Sequence, residues 1–130
     1  MRQDGSLYFL DFEGDDGLRT SSTIDFTGTD SMTVCAGVRK DVLDTGVIAE
    51  LSTNVTGNTG AFRLASISTA SGQYRYQSRG DGTVRAANAS PFGVGTNVLT
   101  GISDISDPVA TIRVDGTQAV SYTHLRAHET

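Results

Sequence analysis

An antiparallel β-sandwich of two sheets is the fold this 130-residue chain predicts. Short β-rich runs recur at intervals of about 8–12 residues, separated by Gly, Asp, Asn and Ser, the spacing of strands joined by turns. Glycine is abundant, with 15 residues, while lysine occurs once, at Lys40, and tryptophan not at all. No segment sustains a 3.6-residue apolar period over three turns, so no long helix is expected.

The elements follow in order. Leu7–Phe12 is the first predicted strand, closed by the turn Gly14-Asp15-Asp16-Gly17, and Ser22–Phe26 alternates apolar and polar residues as a second. Ser31–Lys40 is nearly continuous in apolar and small residues through Val38, which predicts a strand near the centre of a sheet. Asp41–Thr45 has room for one helical turn. Gly46–Ser52 and Ala61–Ile67 are the next strands. Gln73–Ser78 and Thr83–Ala87 flank Arg79-Gly80-Asp81-Gly82 and predict a hairpin whose glycines accept positive φ. Thr96–Ile102 is a further strand. Thr111–Val114 then runs into Asp115-Gly116, a favoured two-residue reversal, and Thr117-Gln118-Ala119 begins the return. Val34, Ala36, Val38, Phe26, Ile48, Phe62 and Ile112 are the expected core.

Charge and length bound the function. A net charge of −5, with no basic run, excludes nucleic acid and anionic membrane as expected partners. No apolar run reaches the roughly 18 residues that span a bilayer, so no membrane insertion is expected. The single cysteine, Cys35, rules out an internal disulfide. It reads as a buried thiol acting as a small hydrophobe.

The last eleven residues, Val120–Thr130, match codon by codon the translation of a transposon-type sequencing-library adapter. Two segments are therefore expected: an incomplete sandwich over 1–119, truncated at its C-terminus, and a non-native tail over 120–130 that packs little. Both histidines, His124 and His128, fall in that tail.

Leu10-Asp11-Phe12-Glu13-Gly14-Asp15-Asp16-Gly17-Leu18, then Ile24-Asp25-Phe26, the run Asp30–Lys40 and the later Val114-Asp115-Gly116 resemble a laminin-G-like domain. The resemblance is to the concanavalin A-like lectin/glucanase superfamily, most closely to versions found in phage tail and other virion proteins. The pattern departs in having Glu13 where the family has Asp. The resemblance implies an all-β, antiparallel two-sheet jelly-roll sandwich. It also implies a binding role and a calcium ion at a loop rim, for which Asp15 and Asp16 are the candidate ligands, since calcium takes carboxylate, carbonyl and water oxygens.

Other candidates carry simpler readings. Asp11, Glu13 and Asp15 alternate, and on an extended strand such neighbours stand about 6–7 Å apart, a spacing open to a glycosidase carboxylate pair. The Gly-rich turn takes Asp15 off that face, and no Trp is present to stack sugars. Arg79-Gly80-Asp81 spells an integrin-recognition tripeptide, and Asn54-Val55-Thr56 and Asn88-Ala89-Ser90 spell glycosylation sequons. The tripeptide is read as turn chemistry, and both sequons are expected to stay unmodified, since Pro91 follows the second and a phage or bacterial source would leave both bare. Tyr74 and Tyr76 share one strand face and are read as core or cross-strand packing. The expected function is non-enzymatic: a binding or adhesion module of a phage virion or bacterial surface protein, directed at a glycan or protein surface through rim loops near Asp15, Asp16, Asn54 and Asn58. A spacer domain of a tail or fibre protein, and a remnant β-glucanase using Asp11 and Glu13, are the alternatives.

Overall fold

The computed structural model describes residues 1–13, 16–24, 28–52, 54–67, 72–80, 82–89, 93–106 and 109–119. Asp15, Phe26 and the eleven-residue tail therefore lie outside the described residues. The protein is all-β, with two four-stranded antiparallel sheets packed face to face and a separate two-stranded hairpin.

Sheet I has the order β10-β9-β8-β3, from Thr117–Ala119 (β10), Val109–Val114 (β9), Gly95–Asp104 (β8) and Ser31–Lys40 (β3). Sheet II is a meander of β4 (Gly46–Leu51), β5 (Phe62–Ser66), β6 (Tyr74–Arg79) and β7 (Val84–Asn88). The chain thus enters sheet I, crosses to build all of sheet II, and returns to complete sheet I. The closing step is the ten-residue pairing of β3 with β8, from Ser31↔Asp104 to Lys40↔Gly95.

Period-2 patterning decides what each strand buries. From sheet II, Leu64, Tyr74, Tyr76 and Ala87 turn inward. They meet Leu99, Ala110, Ile112 and Val114 of sheet I, and all are essentially solvent-free. β6 and β7 lie across β8 and β9, so the core is densest between those four strands. Val34, Ala36, Val38, Ile48 and Phe62 pack around this cluster, as their alternation predicts. The two tyrosines are core, and each satisfies its hydroxyl. Tyr76 Oη pairs with Ser103 Oγ at 2.9 Å, and Tyr74 Oη donates to Asn97 Oδ1 at 3.3 Å. Gly101 lies flat against the Tyr76 ring, where any side chain would overlap it.

Two turns take the form their residues demand. Asp115 (φ 51°) and Gly116 (φ 79°) both adopt the positive φ of a two-residue hairpin between β9 and β10. The Asp115 carboxylate then caps the edge of β8, accepting from Val98 N at 2.7 Å and from Asn97 Nδ2 at 2.8 Å. Gly80 N donates to Thr83 O at 3.1 Å to close the β6–β7 hairpin.

Five expectations are corrected. The strand expected over Leu7–Phe12 is β2 (Leu7–Phe9), and it pairs with β1 (Arg2–Asp4) rather than with either sheet. Gly5, at φ 60°, folds the polar opening residues back onto it. Leu7, Tyr8, Leu10 and Phe12 are consequently exposed. Ser22–Ile24, the described part of the second expected strand, is not in a sheet, and Ile24 is exposed. β3 is an edge strand, not a central one. Its apparent continuity arises because the outward set, Ser31, Thr33, Cys35 and Gly37, is small rather than buried. Cys35 is for that reason exposed, its Sγ 3.9 Å from Thr100 Oγ1, and not a buried thiol. Asp41–Thr45 forms no helical turn. Asp44 instead uses its Oδ1 to accept from Thr45 N and its carbonyl to accept from Lys40 Nζ, which holds the segment as a bend.

Candidate binding surfaces

The acidic turn is built around one cation. β1 carries Arg2 opposite Phe9, and its guanidinium reaches Asp11 through Nε and Glu13 through Nη2, the latter at 3.3 Å. The two candidate catalytic carboxylates are thus brought together, but onto a shared arginine. Asp16 closes the turn: Glu13 N donates to Asp16 Oδ2 and Asp16 N donates to Glu13 O, both at 3.2 Å. One Asp16 oxygen is thereby committed to the backbone. Among the described residues no group of three or more His, Cys, Asp or Glu side chains gathers to hold a metal ion. An open hollow of about 220 Å³ beside the turn is lined by Leu10, Asp11, Phe12, Asp16, Gly17 and Leu18.

The loop between β4 and β5 uses its amides internally. Ser52, at φ 73°, turns the chain, and its Oγ accepts from Asn54 N and from Asn58 Nδ2. Asn54 O accepts from Gly57 N and Asn58 N, while Thr56 Oγ1 donates to Asn54 Oδ1 at 3.0 Å. Buried Val55 pins the loop to the body of the domain. Asn54 and Asn58 therefore shape the loop, and their side-chain oxygen and nitrogen are respectively engaged.

At the end of the sandwich near Lys40, polar groups join the sheets. Lys40 Nζ donates to Ser66 Oγ at 2.6 Å and lies 5.5 Å from the centre of the Tyr74 ring. Burial lowers the Lys40 pKa, against the opposing pull of Asp44. Burial and the nearby Asp115 charge raise that of Tyr74, and burial raises that of Tyr76 against its hydrogen bond with Ser103. The Asp115 carboxyl is held below its ordinary value by the Val98 amide and then by Asn97. Lys40, Tyr74 and Tyr76 tie sheet to sheet, and Asp115 acts within sheet I.

A surface that motif reading missed is the outer face of sheet II. With Tyr74, Tyr76 and Ser78 turned inward, Arg75, Gln77 and Arg79 of β6 turn outward. The register sets Arg63 of β5 beside Gln77, and Ala65 beside Arg75. On the other flank Asn88 and Ala86 of β7 stand beside Arg75 and Gln77. Gln77 Oε1 accepts from Arg63 Nε (3.2 Å) and Nη2 (2.7 Å), and Asn88 Oδ1 accepts from Arg75 Nε at 2.8 Å. Ala65 and Gln77 are nearly solvent-free although they lie on what is formally the outer face. Arg85 stands opposite inward-facing Ser78, on the other side of β7. The Nε atoms of Arg79 and Arg85 are out of solvent without an acceptor. Among the described residues none of these four arginines makes an ion pair.

The signal for this face was present in the sequence as charge segregation rather than as a run. Residues 61–90 hold four arginines against one acid, Asp81, a local +3 inside a chain of −5. The hollow lined by Ser78, Ser103 and Phe62 measures about 40 Å³. Both hollows fall short of the roughly 300–1,000 Å³ of a small-molecule pocket. No protein-family model, curated protein or solved structure matches the chain.

Proposed function

We propose that this chain is a non-enzymatic binding module: a laminin-G-like sandwich of the concanavalin A-like superfamily, from a phage virion or bacterial surface protein, that attaches to a glycan-bearing surface. The observation that carries the reading is the outer face of sheet II. There, arginine and amide side chains are fixed by one another on a rigid sheet, and such preorganised donors lose little freedom on meeting a hydroxyl-rich ligand. Asp11 and Glu13 favour binding over hydrolysis, because both turn to Arg2 instead of facing each other across a sugar-sized cleft.

A glycan array probed with the full chain tests the proposal. Retention of one glycan class, unchanged in Glu13→Gln, supports a binding module, and no retention on any glycan returns the spacer reading. Release of reducing sugar from β-glucan, lost in Glu13→Gln, would establish the hydrolase instead. Calcium titration addresses the rim pair Asp15 and Asp16. A rise in Tm on adding calcium, abolished in Asp15→Ala/Asp16→Ala, assigns them as ligands, and a flat response removes calcium from the proposal.

A further inference from the structure

We infer that the ligand of the sheet II face is an acidic polysaccharide, one whose repeating unit carries a carboxylate or sulfate ester, read by Arg63, Arg75 and Arg79. This rests on the glycan-binding reading above and names its substrate class.

Charge complementarity is the first argument. Arg63, Arg75 and Arg79 stand on adjacent strands, half-buried and with no ion pair among the described residues. Glu50 of β4, opposite Arg63 in the register, is the one described acid on this face, which stays net positive in a chain that is otherwise acidic. The opposing net charge keeps a polyanion off other surfaces and concentrates attraction on this one. Geometry is the second. Gln77 holds Arg63 by Nε and Nη2 and Asn88 holds Arg75 by Nε, while Arg63 Nη1 and both Nη atoms of Arg75 have no hydrogen-bond partner among the described residues. A guanidinium held in this way offers a planar fork to an oxyanion with little further ordering. Arg79 adds a third cation on the same face, with no ion pair among the described residues.

Spacing selects the class of polymer. Arg75 and Arg79 are four residues apart on one strand, about 13 Å, and Arg63 stands between them about 4.8 Å to one side. That is one positive charge per roughly 6–7 Å of strand. Nucleic acids present a phosphate about every 1.7 Å of duplex, or 3.4 Å of one strand, so they are far denser in charge than this face. Single-stranded nucleic acid also wants exposed aromatic rings for its bases, whereas Tyr74 and Tyr76 are turned into the core. An acidic protein partner would want apolar anchors at the centre of its footprint. At its centre this face offers only Ala65 and Ala86, with amides beside them, and its valines, Val47 and Val84, stand toward its borders. A hydroxyl-rich chain with spaced anions matches both the charges and the amides.

The test measures binding of the full chain to polygalacturonate and to chondroitin sulfate, with dextran as the neutral polymer, oligo-dT as the nucleic acid and polyglutamate as the acidic peptide. Binding to one or both acidic glycans is expected, weakened about tenfold or more in Arg63→Gln/Arg75→Gln/Arg79→Gln and by added salt. Which acidic glycan binds separates carboxylate from sulfate. Arg113→Gln, on the outer face of sheet I, is expected to bind as the parent does. Should the triple variant unfold, Arg75→Gln alone with the salt dependence of the parent decides the matter. Equal binding to dextran, or indifference to salt and to the arginine changes, overturns the acidic-ligand inference while sparing glycan binding. Tighter binding to oligo-dT or polyglutamate overturns the polymer class, and no binding to any glycan overturns both readings.

Discussion

Replacing Gly101 by Ala tests the closest approach of the two sheets. Gly101 is buried on β8, between Val34 of β3 and Ile112 of β9. A Cβ there would stand 2.6 Å from Cε2 and Cγ of Tyr76, and closer still to Cδ2. The ring has little room to yield, since its hydroxyl is tied to Ser103 and its flank meets Phe62 at a centroid separation of 6.4 Å. Overpacking of this kind costs about 1–3 kcal/mol, and a clash with three ring atoms belongs at the upper end. Alanine in a strand recovers about 0.5–1 kcal/mol relative to glycine, leaving a net loss of about 2 kcal/mol. In a domain of this size that lowers Tm by about 8 °C. Gly37→Ala is the matched control, because its added Cβ meets nothing within 4 Å and the strand gain stands alone. Urea denaturation with m unchanged measures both. A Gly101→Ala variant as stable as Gly37→Ala would refute the packing of β6 on β8.

Three further outcomes are expected. Asp115→Asn keeps a residue that tolerates positive φ but removes the charge that holds the β8 edge. Because the folded carboxyl is depressed, its stabilisation is full above the ordinary carboxylate value of about 4 and is lost as pH falls through the folded value. The stability gap between parent and variant should therefore close on acidification below about pH 4, and a gap constant with pH would deny the linkage. Cys35 should react with a disulfide reagent in the native protein as fast as in the denatured chain, and strong native-state protection would place it inside. Leu64→Ala should lose about 2–5 kcal/mol by urea titration, and a loss below about 1 would mean that Leu64 is not at the centre of the core.

What was legible in the sequence is what local chemistry decides. Asp115-Gly116 announced its hairpin because few residues adopt two successive positive φ values, and Tyr74 and Tyr76 announced their shared face by spacing alone. The N-terminal segment was misread because Leu7–Phe12 has the pattern of a sandwich strand, and pattern does not say which partner a strand takes. Small residues on β3 likewise imitate two-sided burial, since Thr33, Cys35 and Gly37 are compatible with either water or a neighbouring strand. The arginine face was illegible for a related reason. Arg63 is distant in sequence from Arg75 and Arg79, and only the β5–β6 register places them side by side. The acidic turn was recognised, but its closure by Arg2 depends on a hairpin that sequence pattern did not supply.

The position of β3 at the border of sheet I has a consequence for amide exchange. With β8 as its neighbour on one flank, an antiparallel strand sends alternate N–H groups to that neighbour and the others away from it. Side chains alternate with the same period, so the two alternations are locked together. Every slowly exchanging amide of β3 should thus belong to one side-chain set, either Met32, Val34, Ala36, Val38 and Lys40, or the residues between them. Deuterium uptake along Ser31–Lys40 becomes a sawtooth, and its phase reports the register. A slip of one residue against β8 would exchange the core-facing and outward sets and invert the teeth, so the same trace monitors whether the sandwich has closed in its native alignment.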